Sequence, residues 1–257
     1  MTRGRRGRLL AALAALALVA GALAGCGGSS KPELKISAAA SLTKAFNAYA
    51  QTLKNMKVAY SFAGSDALAA QIEQGVRPDV FASANTKLPS ALYAKQLVEK
   101  PVVFAGNKLV LAVPAGSHIH SLEDLAKPGT TIAVGTATVP VGAYTETVLG
   151  RLSPAEKAQI AKNIRDREPS VDGIVGKLSE GAVDAGFLYA TDVKAAAGKL
   201  EAIDLPPSLQ PNVAYGIAVV KGTSHGAQAR EFIAGLLQGA GLQELAKAGF
   251  LPPPSTG

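Results

Sequence analysis

Residues 33–50 read ELKISAAASLTKAFNAYA, and the fold turns on the change of period inside them. Leu34-Lys35-Ile36-Ser37 reads as a strand. From Ser41 to Lys54 the apolar residues Leu42, Ala45, Phe46 and Tyr49 fall near helical spacing. Ser41 stands just before that helix, where a serine satisfies a free backbone N–H. A strand that runs through a serine into a helix is one half of a βαβ unit.

Working outward, the unit repeats. Lys57 to Phe62 reads as a strand and Asp66 to Gln74 as a helix ended by Gly75. Ser65 stands at that junction, after Gly64, which lets the backbone come close to a ligand. Asp79 to Ala82 is a third strand, with a helix near Pro89 to Lys95. The alternation restarts at Thr131 to Val134, followed by helices at Gly142–Leu152 and Asp172–Ser179. A strand at Ala185–Tyr189 and two C-terminal helices, Ala227–Leu237 and Leu242–Ala248, complete the pattern. Alternating β and α predicts an α/β fold with mostly parallel sheets covered by helices, and the restart predicts two of them. Two β-rich stretches, Lys108–Val113 and Asn212–Val220, are the expected crossings. The expected organisation is lobe 1 from 33–107 plus 212–257 and lobe 2 from 108–211.

The first residues read as a targeting segment. Arg3, Arg5, Arg6 and Arg8 precede an apolar run, Leu9–Ala24, shorter than the roughly 20 residues that span a bilayer. It has the size of a signal-peptide core. It ends in Leu23-Ala24-Gly25-Cys26, which resembles a lipoprotein cleavage box. The resemblance implies removal of 1–25, lipid on Cys26, and a short flexible tether over 26–32. Taking 25 residues from 257 leaves 232, and with them go four arginines and no acid, so the net charge falls from +7 to +3. That is no argument for nucleic acid. Cys26 is the only cysteine, so no intrachain disulfide can form.

In such folds the site lies at the carboxyl ends of the strands, here in the cleft between lobes. Four helix starts follow four strand ends there: at Ser41, at Ser65, at Thr138-Val139-Pro140-Val141-Gly142, and at Pro169-Ser170-Val171-Asp172. Each helix start carries free N–H donors and partial positive charge. Together they make an anion site that needs no lysine or arginine. A hydrolase would need a general base beside Ser41 or Ser65, and the three histidines fall in loops or beside a C-terminal helix. His118 and His120 read as an exposed loop rather than a metal site. A purely structural protein leaves the repeated junctions unexplained.

The strings AAASLTKAF, SFAGSDALAAQIEQG, RPDVFASAN, VPVGAYTETV and DAGFLYATD, in this order, resemble the periplasmic molybdate-binding proteins. The resemblance implies a two-lobed periplasmic-binding-protein type II fold, a monomer working with an ABC permease and its ATPase, and no enzymatic activity or cofactor. It places the chain outside the cytoplasmic membrane, anchored there through Cys26. It also implies an oxyanion held by neutral donors: the hydroxyls of Ser41, Ser65 and Tyr189 and the backbone N–H groups of Val141 and Val171. Molybdate or tungstate is the implied ligand, with phosphate or sulfate as the alternative. Two acids, Asp66 and Asp172, stand where the family often carries a small or hydroxyl residue and an arginine. They either complement their helix starts and point to solvent, or one reaches the site as an acceptor and favours phosphate.

Overall fold

A computed structural model describes residues 33–254. The signal segment, Cys26 and the tether to residue 32 lie outside the described residues.

Strand β1 (Glu33–Ala39) passes through a 3-10 turn (Ala40–Leu42) into helix α1 (Thr43–Thr52). Then come β2 (Lys57–Ala63), α2 (Ser65–Glu73), β3 (Val80–Ser83), α3 (Lys87–Ala94), β4 (Val102–Asn107) and β5 (Leu109–Pro114). The middle of the chain holds β6 (Ile132–Gly135), α4 (Pro140–Gly150), α5 (Pro154–Asn163), β7 (Ile164–Glu168), α6 (Val171–Ser179), β8 (Ala185–Tyr189), α7 (Ala190–Ala195) and β9 (Leu200–Asp204). It closes with β10 (Val213–Val219), α8 (Gly226–Gln238) and α9 (Ala240–Ala248).

The strands form two five-stranded sheets, ordered β2-β1-β3-β10-β4 and β7-β6-β8-β5-β9. β1 runs parallel to β2 and β3, and β10 runs antiparallel to β3 and β4. In the second sheet β6 runs parallel to β7 and β8, and β5 runs antiparallel to β8 and β9. Four strands of each sheet therefore share one direction, and the fifth opposes them. Those opposing strands, β5 and β10, are the first strands after the chain changes sheet. It does so at Lys108, and again across 205–212. On entering each sheet the chain takes a place between two strands of that sheet, β8 and β9 for β5 and β3 and β4 for β10, and runs opposite to both. The passages fall at the first residues of the expected stretches, Lys108 and Asn212, and the remainder of each stretch lies inside a single sheet.

Two interior strands, β3 (VFAS) and β8 (AGFLY), are buried along their whole length, as strands covered on both faces are. Aromatic rings knit the first sheet to its helices: Phe46 lies 5.6 Å from Phe232 and 6.1 Å from Phe104, and Phe104 lies 6.1 Å edge-on to Tyr215. Helix α9 returns to pack on α1.

Five elements escape the sequence pattern: β4, β7, β9, α5 and α7. Strand β7, IRDRE, is a polar edge strand with no fully buried residue, and charge on an edge guards against further pairing. Helix α5 did carry a signal. Ser153-Pro154-Ala155-Glu156 is a capping box, with the Ser153 hydroxyl accepting from Glu156 N and the Glu156 carboxylate accepting from Ser153 N.

Candidate functional site

Four junctions meet in the cleft: β1 into the 3-10 turn, β2 into α2, the β6–α4 loop, and β7 into α6. Between them lies a small pocket. Ser41, Ser65, Val141, Val171 and Tyr189 all line it, with Ala and Gly residues of the first lobe and Val139, Pro140 and Ser170 of the second. The lining contains no Lys, Arg, His, Asp or Glu.

The serines do not act as expected at their helix starts. Ser41 is the middle residue of the 3-10 turn, whose N-cap is Ala39, and Ser65 is the first residue of α2, whose N-cap is Gly64. Ala39 and Gly64 take the extended backbone that the N-cap position needs (ψ 139° and 134°). The serines are thereby pushed one or two places inward, and their hydroxyls turn elsewhere. Ser65 Oγ accepts from Ala84 N at 3.1 Å. Ser41 Oγ lies 2.9 Å from Tyr215 Oη. Ser170 is the N-cap of α6, yet its side chain makes no cap bond, and none is made at α4 either. The helix starts around the cleft therefore have no side-chain cap, whereas α5 has a capping box.

Two glycines permit the close packing. A Cβ on Gly142 would collide with the Thr136 carbonyl and lie 2.6 Å from Gly135 O, so α4 starts hard against the end of β6. A Cβ on Gly64 would strike the Pro169 carbonyl and come within 3.4 Å of Val139 Cγ1. The room made at Gly64 is thus filled by the opposite lobe rather than by a ligand.

Tyr189 ends β8 and is 1% exposed. Its Oη is buried without a hydrogen-bond partner, the one such side-chain atom among the described residues. An unpaired buried hydroxyl costs about 1–3 kcal/mol. Burial, with Tyr215 and Tyr144 nearby, holds its pKa well above the usual phenol value, so it stays a donor.

Neither doubtful acid lines this cavity. Asp66 is half-buried and its Oδ1 lies 3.0 Å from where a Cβ of Gly64 would stand, folded back over its own helix start. Asp172 is exposed but also faces a larger neighbouring cavity, with about 780 Å3 of empty space, shared with Asp192 and Lys44. Partial burial raises its pKa. Pointing both acids simply to solvent thus misses what Asp172 faces. Asp192 is buried, and its Oδ2 accepts from Tyr189 N at 3.1 Å, anchoring the turn that presents Tyr189. Burial pushes its carboxyl up to about 7, with Asp172 adding to the rise. His118 and His120 are exposed in a loop. Among the described residues no cluster of His, Cys, Asp and Glu is placed to hold a metal ion.

Residues 34–251 match the sequence profile of the bacterial extracellular solute-binding proteins. The chain belongs to that family. This solute-binding protein is 35% identical over 223 residues to the molybdate-binding protein ModA of Mycobacterium tuberculosis, covering 84% of this chain and 83% of that one. It is 32% identical over 244 residues to the ModA of Haemophilus influenzae, covering 89% and 94% of the two chains. Its fold is similar to that of the periplasmic molybdate-binding protein of Azotobacter vinelandii, with a TM-score of 0.77 at 23% identity over 86% of this chain and 99% of that one.

Sequence reasoning missed three residues that touch this site from behind: Asn107, Asp192 and Tyr215. Asp192 lies in the quoted LYATD string, three places after Tyr189, where an acid at the third helical position can reach back to the N-cap amide. Tyr215 and Asn107 carry no local signal, because their partners lie 174 and 84 residues away.

Proposed function

We propose that this protein captures molybdate or tungstate outside the cytoplasmic membrane and hands it to an ABC permease and its ATPase. The observation that carries this reading is the orphaned Tyr189 hydroxyl, buried in a pocket whose other polar groups are three serines and uncapped helix starts. Such a set offers donors and dipoles to a dianion and no fixed charge. A fully deprotonated tetrahedral oxyanion needs donors only. Hydrogen phosphate needs an acceptor for its proton, and no carboxylate lines the pocket. The relatives' names agree with the first kind of ligand. The oxyanion is cargo rather than a cofactor, the protein is a binding receptor rather than an enzyme, and it works as a monomer.

Calorimetric titration of the mature protein with molybdate, tungstate, sulfate and phosphate tests this. Molybdate and tungstate are expected to bind alike and tightly, and phosphate weakly. Ser41→Ala, Ser65→Ala and Tyr189→Phe are each expected to cost about 1.5–3 kcal/mol, because each removes a bond to a charged acceptor. Unchanged affinity in all three, or a parent that prefers phosphate, rejects the reading.

Cys26 is the proposed anchor, holding the receptor to the outer face of the cytoplasmic membrane through lipid. In fractionated cells Cys26→Ala is expected to move the protein from the membrane to the soluble fraction. A variant that stays membrane-bound with its signal segment removed counts against the anchor.

A further inference from the structure

We propose that Asn107 and Tyr215 form a one-way donor relay that fixes the Ser41 hydroxyl as a donor to the bound anion, and so selects against anions that carry a proton. The proposal rests on the oxyanion reading of the cleft and adds two positioning residues to it.

The direction follows from which groups can only give or only take. Asn107 is the last residue of β4, at the first passage between lobes, and it is buried. Its Oδ1 accepts from Lys108 N at 2.9 Å. A backbone N–H can only donate, so the amide oxygen must face it and the NH2 must face the other way. There Nδ2 lies 2.9 Å from Thr191 Oγ1 and 3.4 Å from Tyr215 Oη. The amide nitrogen offers no lone pair, so Tyr215 Oη receives a hydrogen from it. Tyr215 is fully buried, and burial holds its pKa well above the usual phenol value, so it keeps its own hydrogen. That hydrogen has one other oxygen to meet: Ser41 Oγ, 2.9 Å away. Ser41 is then an acceptor on the inner side, and its single hydrogen is left for the cavity.

Ser65 reaches the same state by a shorter route, since Ala84 N donates to its Oγ at 3.1 Å. Tyr189 reaches it by having no neighbour. All three hydroxyls thus turn hydrogens toward the ligand, with an inner donor occupying the serine oxygens. A tetrahedral dianion without a proton is served by every group. An anion with an O–H has to give that hydrogen to a serine's remaining lone pair, and the bond that the serine would have donated to that oxygen is lost. Thr191 sits in α7 of the second sheet's lobe, so the same chain of bonds also ties both lobes to the Ser41 turn.

The experiment is a double-mutant cycle of Ser41→Ala and Tyr215→Phe. It is read by calorimetry with molybdate, and by competition with phosphate at a pH where phosphate is mainly the hydrogen-bearing dianion. Tyr215→Phe keeps the ring, and ligand-free melting checks that it folds. It is expected to weaken molybdate about tenfold, as for loss of one bond acting through a charged contact, while phosphate holds or tightens. In the Ser41→Ala background the same substitution is expected to cost less than about twofold, because coupled residues are not additive. Asn107→Asp keeps the Lys108 contact but puts an acceptor where the amide donated. It is expected to narrow the molybdate-to-phosphate ratio in the same way. Equal losses for both anions, or the same loss with and without Ser41, overturn the relay. If the parent binds molybdate and Ser41→Ala weakens it, such a result strikes the relay alone. A parent that binds no molybdate strikes the oxyanion reading and the relay with it.

Discussion

Gly64→Ala is expected to lower oxyanion affinity at least about a hundredfold while barely moving the melting temperature of the ligand-free protein. Gly64 has φ −57° and ψ 134°, a backbone that alanine adopts without strain. Within its own lobe the added carbon meets the end of the Asp66 side chain at 3.0 Å, and that carboxylate can swing into solvent. The obstruction comes from the other lobe, where the carbon would strike the Pro169 carbonyl. Closure then stops short, and the second lobe's donors, Val141 N, Val171 N and Tyr189 Oη, all withdraw from a ligand held on Ser41 and Ser65. Hydrogen bonds weaken steeply past about 3.2 Å. Losing even two of these three bonds to a charged acceptor costs about 3–6 kcal/mol, which is a hundredfold or more. Titration with molybdate measures the loss, and solution scattering shows whether ligand still compacts the protein. Parental affinity in this variant means that the lobes need not meet at Gly64 for capture.

The same contact shows where a sequence stops being readable. Gly64 is visible as a glycine before a helix, and the sequence reads it as room for a ligand to approach the backbone. What comes close is not, because Pro169 lies in the other lobe and over a hundred residues along. The βα alternation was legible because it is a local change of period, written within 18 residues at a time. The cleft was legible for the same reason: strand ends and helix starts are local, and the topology gathers them. The capping role given to Ser41 and Ser65 failed because the N-cap belongs to whichever residue has the right ψ, and Ala39 and Gly64 had it. That failure suits the proposed anion site, since serines that do not cap leave the helix N–H groups uncapped, and their own oxygens accept from Tyr215 and Ala84 instead. The polar strand β7 and the buried pair Asn107–Tyr215 stayed hidden. An edge strand needs no apolar pattern, and a hydrogen bond between distant residues leaves no trace in spacing.

Val171→Pro isolates the part of the site that no side-chain substitution can reach. Val171 is the first residue of α6, after the N-cap Ser170. Proline is favoured at that position, since its φ suits the helix and the helix itself makes no use of the missing N–H. Ser170 has φ −159° and ψ 167°, inside the extended region that a residue before proline requires. Helix α6 is therefore expected to form, and the melting temperature to change by a few degrees at most. The ligand loses more. The N–H proposed as a donor disappears, and the proline ring puts a carbon in its place, where the proposed anion would have had a hydrogen-bond donor. Loss of a charge-assisted bond accounts for about 1.5–3 kcal/mol, and the displaced anion also loosens its bonds to Ser170's neighbours in the cleft, so a fall of about a hundredfold is expected. Val171→Ala is the control. It trims a buried side chain, 5% exposed, at a cost of about 1 kcal/mol or more in stability, but it keeps the N–H and is expected to bind within a few-fold of the parent. Titration of both variants with molybdate decides. If proline and alanine bind alike, the α6 start is wall rather than ligand, and the anion is held by hydroxyls and the α4 start alone.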